Sequence, residues 1–286
     1  MSPELPMSAA IYIKNAVWPD HLAVFYPHLR DTMDLAGLLA GGVILLALSV
    51  AALLFRNRHP YALFGWLWFL VALAPVSGVI QAGWQAMADR FAYVSYIGLY
   101  VGMVWLAADF TRAFPLARFP AAACALIIAM LFAAQARAQI LYWSDRETLL
   151  THAIAVTSGN YFAHLNMYEI EEQRGRKEEA AFHYMKAVEA NPSFVASSHT
   201  RKGSLLARSG NFSEALFYFE RAVYVCPDYA FAWQNYGVTL AMMGRYAEAE
   251  EKIQHALSLK PGWLAAEKNL ASIRKAAKTL VKPGTN

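Results

Sequence analysis

The stretch Ala230-Phe231-Ala232-Trp233-Gln234-Asn235-Tyr236-Gly237, continued by Gly244-Arg245-Tyr246-Ala247-Glu248-Ala249, His255-Ala256 and Lys260-Pro261, decides the fold because its key positions recur upstream. Ala180, Ala215 and Ala249 are almost evenly spaced, and Pro192, Pro227 and Pro261 keep the same interval. Gly175, Gly210 and Gly244 hold a second register, Tyr184, Phe219 and Ile253 a third, and Ala187, Ala222 and Ala256 a fourth. A fixed period of about 34 residues marks stacked units of two helices, none of which can bury its apolar face alone. Stacking supplies the core, small residues sit where helices cross, and glycine makes the turn between them.

The pattern resembles tetratricopeptide repeats, three of them over residues 161–263. The first copy departs at Tyr168, where a small residue is usual, and the second at His199 and Lys202, where apolar residues are usual, so looser helix packing is expected at both. Ala153 and Ser158 precede Ala187 and Pro192 by the same repeat interval, which makes residues 143–160 a degenerate half repeat with a helix over 145–157. Residues 264–286 carry Glu267, Lys268, Arg274, Lys275 and Lys278 and read as the polar capping helix and tail that such arrays need. By resemblance, the first helix of each unit lines a concave groove for an extended protein or peptide. Phe162, Asn166, Glu169, Arg201, Phe231, Asn235 and Val238 are the groove candidates, with Asn166 and Asn235 resembling an asparagine ladder that Arg201 interrupts.

The rest of the chain is chemically different. Over all 286 residues 57% are hydrophobic and 16% charged, but eight Lys/Arg and six Asp/Glu lie in residues 1–142 against seventeen and fifteen in residues 143–286. Four uncharged stretches, Leu35–Phe55, Tyr61–Ala82, Phe91–Ala108 and Phe119–Gln135, approach the ~20 helical residues needed to cross ~30 Å of hydrocarbon. The expected fold is therefore all-α: four transmembrane helices over 35–142 followed by a tetratricopeptide α-solenoid. Residues 1–34, with Pro3, Pro6, Pro19 and Pro27, read as an extracytoplasmic loop. Gly37 and Gly41 form a small-xxx-small pattern suited to close helix packing.

Arg56 and Arg58 in one short loop, and Arg112 and Arg118 in another, place those loops in the cytoplasm by the positive-inside rule. Both termini then lie outside, as in a bacterial inner-membrane protein with its repeats in the periplasm, a topology that suggests further helices upstream. Pro75 and Gly78 should kink or unwind the outer end of the second helix. Beyond it, Asp89 and Arg90 with Tyr93 are candidates for holding a lipid-linked phosphate, because a guanidinium fork matches phosphate oxygens. A structural Asp89–Arg90 pair anchoring the interface is the competing reading.

Dispersed charge argues against nucleic acid despite the net charge of +4. No HExxH, phosphate-cradling glycine loop or GxSxG elbow occurs, and Cys124 and Cys226 offer no metal spacing, so no metal or resident cofactor is expected. The run from Phe64 through Pro75, Gly78, Gln81, Gly83, Asp89, Arg90, Tyr93 and Gly98, with Trp18-Pro19, Tyr26-Pro27 and Tyr142-Trp143-Ser144-Asp145, resembles the C-terminal part of GT-C fold membrane glycosyltransferases that carry tetratricopeptide repeats. That family includes the transmembrane-and-TPR O-mannosyltransferases and their bacterial relatives. The resemblance implies a polyprenyl-phosphate sugar donor, an extracytoplasmic reaction, and Arg90 and Tyr93 near the lipid phosphate. It also implies that the catalytic acid sits in an N-terminal set of helices outside the matched region, so no catalytic residue is assigned. Two functions are expected: a membrane-anchored binding module, inactive alone and in contact with membrane lipids, or a split glycosyltransferase working with a separately encoded N-terminal half.

Overall fold

The computed structural model describes residues 5–27, 35–76, 85–87, 89 and 92–281. Thirteen α-helices and one short strand pair occur among the described residues. The chain divides into two compact units, Met1–Lys177 and Glu178–Asn286.

Unit 1 begins with α1 (Leu5–Val17), in a region whose prolines suggest a loop. The expected loop is corrected to a helix there: Pro6 falls in the first turn, where the missing N–H breaks no helical bond, and Pro19 follows the end. Next come α2 (Leu35–Leu54), α3 (Pro60–Leu73), α4 (Tyr93–Ala113) and α5 (Arg118–Tyr142). The first, third and fourth expected spans correspond to α2, α4 and the run ending in α5, each long and apolar enough to cross a membrane. The second does not: α3 has 14 residues, about 21 Å at ~1.5 Å per residue, short of ~30 Å. It passes into a 3-10 turn at Ala74–Val76, where Pro75 cannot donate to the carbonyl four residues back. The expectation of four spanning helices is thus corrected to three, plus one shorter apolar helix, among the described residues.

α3 and α4 meet backbone to backbone. A Cβ on Gly65 would collide with the Gly98 carbonyl oxygen, so only glycine permits the approach. Tyr12, Trp66, Phe69, Leu73, Met87 and Ala92 form the core that α1 shares with these helices. β1 (Tyr26–Pro27) pairs antiparallel with β2 (Gln85–Met87). The stretch before β1 also reaches forward to α6 (Arg146–Val156) and α7 (Tyr161–Gln173). Ala23 packs with Leu150, Ala153, Ala163 and Met167, while the Leu22 carbonyl accepts a hydrogen bond from Gln139 Nε2 at 3.2 Å and bonds His152 Nε2 at 3.1 Å. This cross-chain core explains why the division falls at residue 177 rather than at Trp143, where the charge density changes.

Unit 2 takes α8 (Lys177–Ala190) from its second residue, then α9 (Pro192–Arg208), α10 (Phe212–Val225), α11 (Ala230–Met242), α12 (Tyr246–Leu259) and α13 (Leu264–Val281). From α9 onward, successive helices pack on one another around Phe219, Leu240, Ile253, Ala266 and Ile273. At the crossings a Cβ on Gly203 or Gly237 would come within 3.0 or 2.9 Å of the carbonyl of Ala215 or Ala249. Across both units the repeat glycines Gly175, Gly210 and Gly244 adopt φ of +73°, +85° and +79°. Beside each, the next amide donates back to the carbonyl of Glu171, Leu206 or Leu240, closing the same Schellman turn three times.

The expected looseness around His199 is not found. His199 is buried, its Nε2 lies 3.1 Å from the Tyr184 hydroxyl, and its ring sits between Tyr184 and Tyr218. Lys202 completes the cluster by placing Nζ 4.6 Å from the centre of the Tyr218 ring.

Candidate functional site

Two places follow from the sequence: the segment around Asp89 and the first helices of the repeats. Asp89 is held in place by groups far away in sequence. Its Oδ2 accepts from the Tyr26 hydroxyl at 2.7 Å and its Oδ1 from Asn15 Nδ2 at 3.3 Å. The same Tyr26 oxygen accepts from the Ala23 amide at 2.9 Å. Burial raises the Asp89 pKa above the usual carboxylate range, against the lowering effect of these hydrogen bonds, and burial together with Asp89 pushes the Tyr26 phenol up. Asp89 therefore joins α1 to the strand pair. Tyr93 opens α4 and is exposed; Arg90 lies outside the described residues.

The repeat candidates divide by unit. In α7 all three are engaged. Phe162 stacks on Phe25 with centroids 4.8 Å apart, and Tyr161 meets the same ring edge-on at 5.4 Å. Asn166 Oδ1 accepts from Arg146 Nη2 at 2.5 Å, and Glu169 pairs with that nitrogen at 3.2 Å. Arg146 sits where it does because Asp145 caps α6, accepting from the Thr148 amide at 2.8 Å. A second arginine, Arg174, ties α7 back to Glu147 at 2.9 and 2.5 Å.

In α11 the counterparts of Phe162 and Asn166 are more accessible, while Val238, the counterpart of Glu169, is half-buried. Asn235 Nδ2 donates to the Phe231 carbonyl at 2.7 Å, as Asn166 Nδ2 does to that of Phe162 at 2.7 Å. Each amide is thereby fixed against its own helix with the oxygen pointing away, but no arginine meets Asn235 Oδ1 among the described residues. Phe231 is 44% exposed, edge-on to Trp263 at 4.6 Å, with Lys260 Nζ 4.8 Å above its ring. Arg201 on α9 is exposed and makes no ion pair among the described residues. Val238 packs against the core of unit 2 and is half-buried. Exposed Leu205 and Met242, on the same two helices, were not among the candidates. Nor were Arg146 and Phe25, for which local sequence holds no signal because their partners on α7 are remote in the chain.

Among the described residues no group of three His, Cys, Asp or Glu side chains is placed to hold a metal ion. The tetratricopeptide repeat pattern matches residues 169–194 and 194–261. Residues 169–261 are thus tetratricopeptide repeats, and most of α7 precedes the match. The chain is 27% identical over 167 residues to Protein O-mannosyl-transferase TMTC1 of Mus musculus, covering 57% of this chain and 17% of that protein. It is 38% identical over 56 residues to an uncharacterized protein of Methanocaldococcus jannaschii, covering 20% of this chain and 65% of that one. It therefore spans less than two thirds of either relative. Similar solved structures include the first TPR domain of human RPAP3, at 22% identity and TM-score 0.31 over 42% of this chain and 93% of that one. Another is the type IV pilus biogenesis factor PilW, at 24% and 0.30 over 51% and 69%.

Proposed function

We propose that this chain is a multi-pass membrane protein that carries its tetratricopeptide repeats outside the cytoplasm and uses α9 and α11 to hold an extended protein or peptide segment. The observation that carries the binding reading is the pair Asn235 and Phe231. A fixed amide with a free oxygen can accept a backbone N–H from an extended chain, and an exposed aromatic ring beside it offers an apolar seat. Arg201 adds a cation for an acidic side chain or a terminal carboxylate.

Membrane insertion is supported by α5. Leu126, Ile127, Ile128, Met130 and Leu131 are all exposed, so apolar surface covers more than half of the helix circumference. Such a surface is unfavourable in water by ~25 cal/mol per Å² and suits lipid. Orientation is supported by the pairing of His59 with Asp109 at 3.1 Å, which sets the Arg56–Arg58 loop and the Arg112 end of α4 at one end of the bundle. Alkaline phosphatase fused after Asn286 is expected to be active; activity of a cytoplasm-only reporter at that position overturns the orientation. Selection of peptides on the full-length protein in lipid nanodiscs is expected to enrich extended sequences that Asn235→Ala no longer retains.

A second reading is favoured by the similarity to the mouse O-mannosyl-transferase: a portion of a polyprenyl-phosphate-sugar-dependent protein glycosyltransferase of the GT-C fold, with the repeats presenting acceptors and Arg90 and Tyr93 near the donor phosphate. Co-expression with the protein encoded immediately upstream, followed by an assay for sugar transfer from a polyprenyl-phosphate donor, decides it. Transfer that disappears in Arg90→Ala supports it, and absence of transfer removes it.

A further inference from the structure

A cavity of about 430 Å³ opens between α2, α3 and α4, at the end of the bundle away from Asp89, and is not accounted for by repeat binding. Its volume falls in the range of ~300–1,000 Å³ typical of small-molecule sites. Leu48 and Ala51 of α2, with Phe55 just beyond its end, line it together with Trp66, Leu99 and Leu106. The floor is smooth because Gly65, Gly98 and Gly102 carry no side chains where α3 and α4 meet. The lining is apolar except for His59, which stands at one end.

That end is polar and positively charged. His59 Nδ1 lies 2.6 Å from the Tyr61 hydroxyl and 3.1 Å from Asp109 Oδ2, and Tyr61 donates to the same carboxylate oxygen. Arg112 bonds Asp109 Oδ1 at 3.1 Å and offsets its charge. Arg56, whose Nη1 donates to the Leu53 carbonyl, and Arg58 are exposed and make no ion pair among the described residues. The groove thus ends at the turn whose Phe55 and His59 line it, and the two arginines between them in the chain, Arg56 and Arg58, have no counter-charge among the described residues.

We propose that this groove binds one acyl chain of an anionic glycerophospholipid, with the phosphate headgroup at Arg56 and Arg58. The proposal rests on the membrane reading given above. Charge complementarity selects the occupant: a transmembrane helix leaves both guanidinium groups unmatched and a zwitterionic lipid offsets its phosphate with its own ammonium group, whereas a lipid of net negative charge meets them with charge-assisted hydrogen bonds and no competing cation. His59, held between Tyr61 and Asp109, closes the polar end of the groove beside the headgroup.

The test uses the full-length protein in detergent micelles, titrated with dioleoylphosphatidylglycerol or dioleoylphosphatidylcholine and read by native mass spectrometry. Wild type is expected to retain phosphatidylglycerol about thirtyfold more tightly than phosphatidylcholine, the scale set by two basic side chains at a lipid surface. Gly102 has room for a side chain, since a Cβ there meets nothing nearer than 3.8 Å, so Gly102→Leu fills the groove and removes retention of both lipids. Ala52→Leu, from the α2 wall, gives the same loss by an independent route if Gly102→Leu fails to fold. Arg56→Gln with Arg58→Gln removes the preference and keeps the chain. Excess inorganic phosphate leaves the lipid bound; displacement by phosphate makes this a free-anion site and overturns the proposal. Equal retention of the two lipids by wild type, undiminished retention in both groove-filling variants, or a dimer that those variants abolish also overturns it. Membrane insertion is scored separately by resistance to carbonate extraction, so its failure is distinguishable from failure of the lipid site.

Discussion

Helices α7 and α11 occupy the same place in two copies of one repeat, and the chain uses them differently. Both carry an aromatic residue, then an asparagine four residues on whose Nδ2 donates to the aromatic residue's carbonyl at 2.7 Å. In α7 the aromatic ring is stacked on Phe25 and the amide oxygen is taken by Arg146; in α11 the ring is exposed and no arginine meets the oxygen among the described residues. A repeat motif specifies side-chain geometry but not availability. Availability is set by neighbours distant in sequence, here the N-terminal stretch and α6, which turn α7 into part of unit 1.

The strongest way to break this comparison is Phe25→Ala. Phe25 is 7% exposed and touches both Tyr161 and Phe162, so its removal is expected to destabilise unit 1 by about 3–5 kcal/mol. Hydrogen exchange should show α7 opening while α11 stays protected; equal loosening of both helices would mean that the N-terminal stretch does not distinguish them.

His199 gives a pH test confined to unit 2. Burial, reinforced by Arg221 and Lys202, lowers its pKa to about 4 from 6.5, so the folded array favours the neutral ring. Between these values the unfolded chain binds more protons. The stabilisation is complete above pH ~6.5 and is lost as the pH falls toward ~4, by about 3 kcal/mol in all. Denaturant melts of the array at pH 7 and pH 4.5 check the sign, and His199→Phe is expected to flatten the slope.

Much of this was legible in sequence, for reasons that particular residues make clear. Gly175, Gly210 and Gly244 had to repeat because each turn needs positive φ, and Gly203 and Gly237 because a Cβ would strike a backbone carbonyl. The helix α1 is hidden when prolines are read as loop signals without regard to position. The second expected span, Tyr61–Ala82, is longer than its α-helix because α3 gives way at Leu73 to the 3-10 turn Ala74–Val76, and residues 77–82 lie outside the described residues. The partners of Asp89 and Asn166 were illegible: pairings over 74, 63 and 20 residues leave no periodic trace.

A smaller effect is expected from Tyr26→Phe. It removes the hydroxyl that serves Asp89 and the Ala23 amide together, at a cost of about 1–3 kcal/mol, read as a lower melting temperature. The smallest stability effect belongs to Arg146→Ala, because exposed ion pairs contribute ~0–1 kcal/mol. Its value lies elsewhere, since it frees the Asn166 oxygen and makes α7 resemble α11.

The central claim is that the open binding surface lies on α9 and α11 and not on α7. It is tested most directly by measuring how the full-length protein in nanodiscs binds a peptide selected on it, with wild type, Asn235→Ala and Asn166→Ala compared side by side. The account predicts roughly tenfold weaker binding for Asn235→Ala, the loss of a hydrogen bond at a desolvated contact, and unchanged affinity for Asn166→Ala. Weakened binding in Asn166→Ala with Asn235→Ala unaffected would contradict it.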